Sequence, residues 1–193
     1  MVHDASGWPG IDWALDNPDR VASLIVLNTV YHPSPASRPP EGLAQYAIPS
    51  AQRDTLVPRV LSDDTLWIEG SAAEQIIGFR DQIGKFFNDA KTRESLLPVF
   101  IKQSLAMRPA FIALASQLIP EITAHAAAIP RMAAFTRPVV VAFGADDPYL
   151  NQGVAADFAA RFANGRRLDI AGGNHYVQLD QPEQVAAAIL TTF

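Results

Sequence analysis

The sequence predicts an α/β fold in which a mostly parallel sheet is interrupted by a helical insertion. A tight turn near the start leads into a short helix and then into a continuous apolar run at 23–28. A second apolar run at 138–144 is rich in β-branched residues and ends in glycine, which is typical of a buried strand. Between these runs, residues 43–135 follow a helical pattern broken by prolines, and nothing there alternates as a strand would. The predicted parts are a core segment at 1–30, a helical part at 31–135 and a second core segment at 136–193.

Three signals in the helical part indicate where helices begin. Ser71-Ala72-Ala73-Glu74 is a capping box that predicts a helix running toward Asn88. Thr92 is expected to cap a second helix, and Pro109 is expected to lie in the first turn of a third, before Phe111, because threonine caps helices and proline suits a first turn. Large apolar residues at helical spacing, such as Trp67, are expected to pack in a core rather than to bind a ligand.

The turn near the start carries the first reactive candidates. His3-Asp4-Ala5-Ser6-Gly7 places a carboxylate and a hydroxyl between a strand and a helix. Such a turn raises one side chain above the sheet edge, and it needs small neighbours because the backbone folds back on itself. With Ser6 at the apex, the bulky Trp8 would occupy a position that must be small. The pattern therefore favours Asp4 at the apex, with Ser6 as the alternative and a helix-capping role for Asp4 as a third interpretation.

Further polar candidates follow the predicted strands in the last third of the chain. Asp146 and Asp147 come directly after the run at 138–144, and His175 lies on a loop that contains two glycines. Ligand sites in open α/β sheets collect beyond the carboxyl ends of the strands, so an acid at this place is well positioned. An Asp before Pro148 is also a common turn residue, and a histidine on a loop is often plain polar surface.

The first 29 residues resemble a known family of enzymes. The segment His3-Asp4-x-Ser6-Gly7, with residues 10–15, 18–21 and Leu27-Asn28-Thr29, resembles the corresponding segment of haloalkane dehalogenases. That family belongs to the α/β-hydrolase superfamily and has the epoxide hydrolases as close relatives. Near the other end, His175-x-x-Gln178-x-Asp180 resembles the dehalogenase form of the histidine loop.

The resemblance implies a site and a fold. It makes Asp4 the nucleophile, selects Asp147 as the acid by the Gly-x-x-Asp-Pro spacing, and makes His175 the base, in the chain order of the superfamily. The implied fold is the C-terminal half of an α/β-hydrolase sheet, with the helical part as a cap over the active site. Only Met1 and Val2 precede His3, so the first four strands of the family and most of the fifth would be absent. We therefore expect an open sheet edge through which the chain could self-associate.

The residue types predict covalent chemistry. A carboxylate with a pKa of about 4 is ionised at neutral pH, so Asp4 needs no base in order to attack an electrophilic carbon. His175 would then activate the water that hydrolyses the resulting ester, and Asp147 would orient the imidazole. One donor for the oxyanion is expected at the backbone N–H of Ala5, and the other would come from a loop upstream.

The substrate is less defined by the sequence than the nucleophile is. Haloalkane dehalogenases carry Trp directly after the nucleophile, where its indole N–H holds the departing halide, whereas Ala5 offers no side-chain donor. Epoxide hydrolases require cap tyrosines, and Tyr46 is the tyrosine inside the predicted cap, with Tyr31 at its entrance. The predicted function is a dehalogenase-like hydrolase acting on a small apolar substrate. The alternatives are an epoxide hydrolase, a serine-type esterase, and a catalytically silent fragment or association module.

The composition argues against several other classes of protein. A net charge of -5 without a basic run argues against nucleic acid as a partner. No apolar stretch is expected to reach the length that crosses a bilayer, and we expect a cytoplasmic protein without a membrane partner. The absence of cysteine excludes disulfides and thiolate metal sites. His125 has no acid or second histidine at metal-ligand spacing, so no metal and no cofactor are expected.

Overall fold

The structure is a computed structural model that describes residues 1–62, 81 and 83–192. The described chain divides into two compact units, one formed by Met1–Arg38 with Ile122–Phe193 and the other by Pro39–Glu121. We call these the sheet unit and the helical unit. The capping box predicted at 71–74 and Trp67 lie outside the described residues.

The sheet unit contains four described strands, all parallel, in the order β1-β2-β3-β4. The strands are β1 (Val2–His3), β2 (Leu24–Leu27), β3 (Val139–Gly144) and β4 (Gly165–Ile170). Every residue of β2 and β3 is buried, as expected for parallel strands that are covered on both faces. The predicted α/β class with a parallel sheet is therefore confirmed, and both apolar runs form strands.

The register of the sheet brings the carboxyl ends of its strands together. His3 pairs with Leu27, Leu27 pairs with Ala142, and Gly144 pairs with Ile170. The residues that directly follow these strands therefore share one edge of the sheet. This is the edge where open α/β sheets bind ligands.

Eight α-helices and three short 3-10 turns have both ends within the described residues. The described helices are α1 (Trp8–Asp16), α2 (Glu41–Ala47), α3 (Ala51–Ser62), α4 (Ala90–Ala124), α5 (Ile129–Ala134), α6 (Gln152–Ala160), α7 (Val177–Asp180) and α8 (Pro182–Leu190). Short 3-10 turns lie at Ala5–Gly7, Pro18–Arg20 and His125–Ala128.

Two of the predicted helix starts are wrong. The helix expected to begin at Thr92 begins at Ala90, and the carboxylate of Asp89 accepts the backbone N–H of Thr92 at 3.0 Å. Pro109 begins no helix, since it lies inside α4 with Pro98 and Pro120. A proline inside a helix costs about 3 kcal/mol relative to alanine, so packing must outweigh the local preference.

The helical unit has a core of its own. Buried apolar residues from α2, α3 and α4 pack together in one cluster, formed by Tyr46, Val57, Val60, Ile112 and Ala115. The guanidinium of Arg53 donates to the backbone oxygens of Tyr46 and Ser116. Arg53 thereby ties α3 to the other two helices.

One stretch in the described part of the chain, Pro109–Ala134, is long and apolar enough to cross a membrane by length and composition alone. The expectation that no stretch reaches that length is therefore wrong. A core helix of a soluble protein passes the same test, so a single helix of this kind is weak evidence for a membrane. The absence of a membrane partner stays a prediction.

Candidate active site

The backbone at Asp4 is strained. Asp4 has φ 51° and ψ -169°, and it alone among the described non-glycine residues has a positive φ. Such conformations cost about 1–3 kcal/mol and persist only where the surroundings fix them. Here the backbone N–H of Asp4 donates to the backbone oxygen of Asn28 at 3.0 Å. The backbone oxygen of Asp4 accepts from the Gly7 N–H at 3.0 Å and from the Thr29 hydroxyl at 2.9 Å. The sharp turn raises the Asp4 side chain at the end of β1.

The small residues of the turn have a clear physical reason. A Cβ atom on Gly7 would lie 2.8 Å from the Val2 Cβ, because the turn folds directly onto β1. Ser6 is exposed, and its hydroxyl donates to the backbone oxygen of His3 at 3.0 Å. The structure therefore has Asp4, and not Ser6, at the apex of the turn.

Three predicted residues come together at the carboxyl edge of the sheet. His175 Nδ1 lies 3.0 Å from Asp147 Oδ2, and His175 Nε2 lies 4.0 Å from Asp4 Oδ2. Asp147 is 2% exposed and His175 is 9% exposed. Because a carboxylate only accepts, Nδ1 carries the proton toward Asp147 and the neutral ring presents a bare Nε2 to Asp4.

The two neighbouring acids have different environments. Asp147 Oδ1 accepts the backbone N–H groups of Tyr149 at 2.9 Å and Leu150 at 3.0 Å, which fixes the carboxylate toward His175. Asp146 is exposed, and its backbone N–H donates to the Gly173 oxygen at 2.9 Å. Of the two acids, Asp147 is the one that meets the imidazole.

Asn28 completes the surroundings of the acid, and the sequence analysis missed this role. Its Nδ2 donates to Asp147 Oδ2 at 2.9 Å, and its Oδ1 accepts the Gly144 N–H at 2.8 Å. The side chain is fully buried. A polar residue directly after a buried apolar strand was the available signal, because such a residue must find partners at the strand end.

The ionisation of the pair follows from burial and from hydrogen bonding. Burial is the largest influence on His175 and lowers its pKa, but the hydrogen bond to Asp147 and the charges of Asp4 and Asp147 outweigh it. The net pKa of His175 is therefore raised above 6.5. Burial raises the pKa of Asp147, yet the hydrogen bond from His175, its charge and the two backbone N–H donors bring the net pKa below 3.8. Asp147 is thus ionised when His175 titrates.

The loop of His175 is held by side chains rather than by unusual backbone angles. The His175 N–H donates to Asn174 Oδ1 at 2.8 Å, and the Asn174 N–H donates to Asp180 Oδ2 at 2.9 Å. Asn174 has no left-handed backbone here, because the positive φ on this loop belongs to Gly172. Asn174 instead acts as a hydrogen-bond acceptor for the residue that follows it.

The two remaining predicted site residues differ in position. Ala5 follows Asp4 in the turn and is buried, and no described residue accepts a hydrogen bond from its N–H. Tyr46 packs in the core of the helical unit and is 9% exposed. Its predicted contact with substrate stays a prediction. The described residues contain no group of three or more acids and histidines that could hold a metal ion.

Solved structures share this architecture. The chain matches a 2-hydroxy-6-oxo-6-phenylhexa-2,4-dienoate hydrolase from Rhodococcus with a TM-score of 0.67 and 14% identity, over 99% of this chain and 62% of that one. It also matches an α/β-hydrolase fold protein from Burkholderia ambifaria with a TM-score of 0.67 and 21% identity, over 98% and 63% of the two chains. This chain has part of the α/β-hydrolase fold. A third α/β-hydrolase match is an esterase from Thermogutta terrifontis, with a TM-score of 0.61 and 19% identity over 98% and 61%.

The α/β-hydrolase fold is the extent of what these matches show. The chain spans about 62% of the length of the Rhodococcus hydrolase. No protein-family model matches the chain, and no curated protein does.

Proposed function

We propose that this chain is a hydrolase in which Asp4 is the nucleophile and forms a covalent ester with a small apolar substrate, as in the dehalogenases that its turn resembles. The observation that carries the proposal is the arrangement at the sheet edge. A carboxylate on a strained turn lies 4.0 Å from the Nε2 of an imidazole, and the other ring nitrogen is bonded to a buried acid. Strained turns of this kind collect at active sites.

The first step needs no proton transfer. An Asp4 carboxylate oxygen attacks an electrophilic carbon, a C–O bond forms, and the bond to the leaving group breaks with its electron pair departing on that group. A halide leaves as the anion, whereas the oxygen of an opened epoxide stays attached as an alkoxide, which takes a proton from water after the ester has formed. The product is an alkyl ester on Asp4.

The second step uses the imidazole. Nε2 of neutral His175 takes a proton from water, and the water oxygen adds to the ester carbonyl of Asp4. The tetrahedral oxyanion can accept the N–H of Ala5, which meets no acceptor among the described residues. Collapse of this intermediate releases the alcohol, which receives the proton held by His175, and leaves Asp4 as a carboxylic acid, which gives its proton to solvent and becomes the carboxylate again.

The distance between the two groups favours this chemistry over that of a serine hydrolase. A hydroxyl nucleophile is activated by a base within about 2.6–3.2 Å, since the base must remove its proton. A carboxylate has no such proton to lose, so the separation of 4.0 Å between Asp4 and His175 is suitable. Ser6 is turned to the His3 backbone instead.

The proposal also concerns the leaving group, which is either a halide or the oxygen of an epoxide. Ala5 supplies no side-chain donor for a halide. This feature favours epoxide hydrolysis as a second candidate, since an epoxide has no halide to hold. Both candidates share the ester on Asp4, so one experiment tests them together.

The test is to trap the ester. The His175→Ala variant and the parent chain are incubated with a panel of short haloalkanes and epoxides, and their intact masses are measured. The variant is expected to gain the mass of one alkyl or hydroxyalkyl group, located at Asp4 by peptide mapping, and the Asp4→Asn variant is expected to gain nothing. An adduct elsewhere, or none with any compound, would overturn the proposal and leave the silent module as the better account.

A further inference from the structure

We propose that His3 is a positioning residue for ester hydrolysis, because its side chain holds the backbone carbonyl of His175 and thereby fixes the imidazole that activates water. The proposal rests on the function proposed above. It concerns a residue to which sequence reasoning gave no role beyond membership of the turn.

The contact joins the two ends of the chain. His3 Nε2 lies 2.9 Å from the backbone oxygen of His175. A carbonyl oxygen only accepts, so Nε2 of His3 carries the hydrogen. The two imidazole rings lie 5.0 Å apart between centroids, at an interplanar angle of 56°. The residue before the nucleophile therefore touches the catalytic histidine through both its ring and its donor.

His3 supports the His175 backbone on the side opposite to Asn174. On the amino side, the His175 N–H donates to Asn174 Oδ1 at 2.8 Å. On the carboxyl side, the His175 oxygen accepts from His3. Loss of the contact with His3 would weaken the hold on the peptide group after His175 and thereby on the direction of the ring toward Asp4.

Electrostatics separates the roles of the two rings. Burial lowers the pKa of His3, and the positive charge of His175 lowers it further, against smaller opposing effects of its hydrogen bond, Asp4 and Asp147. The pKa of His175 is raised. As the pH falls, His175 therefore takes up a proton before His3 does, and at neutral pH His3 is a neutral donor. A neutral donor at this place can be imitated by an amide side chain.

Three substitutions of His3 separate positioning from mere packing. His3→Gln places an amide nitrogen the same number of bonds from Cβ as Nε2, whereas His3→Asn places it where Nδ1 lies. His3→Leu removes the donor and keeps apolar volume. We expect Gln to preserve the contact with the His175 carbonyl and the other two to lose it.

The first readout is the lifetime of the Asp4 ester, followed by intact mass after a pulse of substrate. We expect ester decay to slow by about 10-fold to 100-fold in His3→Leu and His3→Asn, since a misplacement of about 1 Å can cost 10²-fold. Ester formation is expected to change by less than about threefold, and His3→Gln is expected to recover most of the lost decay rate. Equal decay in His3→Leu and the parent, or a His3→Gln variant as slow as His3→Leu, would overturn the proposal.

The second readout does not depend on activity. The chain has four histidines, so the Nδ1–H resonance of His175 can be assigned by NMR with single variants. We expect this resonance to persist in His3→Gln and to broaden or disappear in the other two variants. If no variant and no parent chain forms an ester, the proposed function fails, and this measurement still decides the positioning role. The same sharp resonance in all variants would overturn it.

Discussion

Replacing Gly144 with alanine should separate the acid from the imidazole. Gly144 ends β3, and a Cβ atom there would lie 2.2 Å from the Asn174 oxygen and 2.6 Å from the carbonyl carbon of Gly173. Both atoms belong to the backbone of the loop that carries His175, so no side-chain rotation relieves the overlap. Reaching an ordinary contact of 3.4 Å requires a shift of about 1.2 Å.

The size of the effect follows from that shift. Overpacking of this kind costs about 1–3 kcal/mol of stability, which corresponds to about 2–12 °C in melting temperature for a chain of this length. A displacement of about 1 Å in a catalytic group can lower a rate by 10²-fold. We therefore expect Gly144→Ala to melt lower and to hydrolyse the Asp4 ester about 100-fold more slowly, with loss of the sharp Nδ1–H resonance of His175.

Thermal unfolding, ester decay by mass spectrometry and imidazole NMR together test this expectation. Gly84→Ala is the matched control, because among the described residues its Cβ would meet only the side chain of Arg93, at 3.7 Å. That variant should behave like the parent in all three assays. If Gly144→Ala also matched the parent, the close approach of β3 to the histidine loop would be absent in solution, and the site geometry argued above would be wrong.

Two further predictions concern the acid and the base. Asn28→Leu removes one of the two donors to Asp147 Oδ2, leaving His175, and takes away the acceptor of the buried Gly144 N–H, so we expect a loss of about 1–3 kcal/mol in chemical denaturation; unchanged stability would count against the assigned contacts. His175 acts as a base only when neutral, so the rate of ester decay should increase with pH; the ester removes the charge of Asp4, one of the causes that raise the pKa of His175, so the midpoint should lie below the imidazole pKa of the free chain. The stability contributed by this raised pKa should be complete below pH 6.5 and decline as the pH rises through the pKa of the folded state, which a pH series of melting curves would measure. A rate midpoint above the imidazole pKa that NMR measures for His175 in the free chain would contradict the prediction.

Local patterns in the sequence predicted the elements but not their contacts. The β-branched run at 138–144 identifies a buried strand because its apolar residues leave few other environments for it. Parallel strands place their carboxyl ends at one edge, so acids and histidines after such strands could be expected to meet there. In contrast, the bond between Asn28 and Asp147 joins residues 119 apart and depends on the pairing of Leu27 with Ala142. No pattern within either segment encodes that register.

In the helical unit, local signals in the sequence predicted helix ends that the structure does not have. Pro98, Pro109 and Pro120 each favour a break, yet α4 continues through all of them. Ile112 and Ala115 are buried in the core of the helical unit, between the second and the third proline. Tertiary packing of this kind overrides local propensity. The propensity of a single proline contains no information about that packing, so it cannot predict that the helix continues.

The residue at the apex of the turn could be predicted from the local sequence alone, because steric contacts in a tight turn act between residues that are close in the chain. The sequence argument required a small residue two positions after the apex. In the structure, the closest approach comes one position later, where Gly7 folds onto Val2 with room for no Cβ. With Ser6 at the apex, that place would fall to Pro9, which carries a Cβ and a ring. The turn can therefore raise the carboxylate of Asp4, and the neighbours that permit this exclude the hydroxyl of Ser6 from the same position.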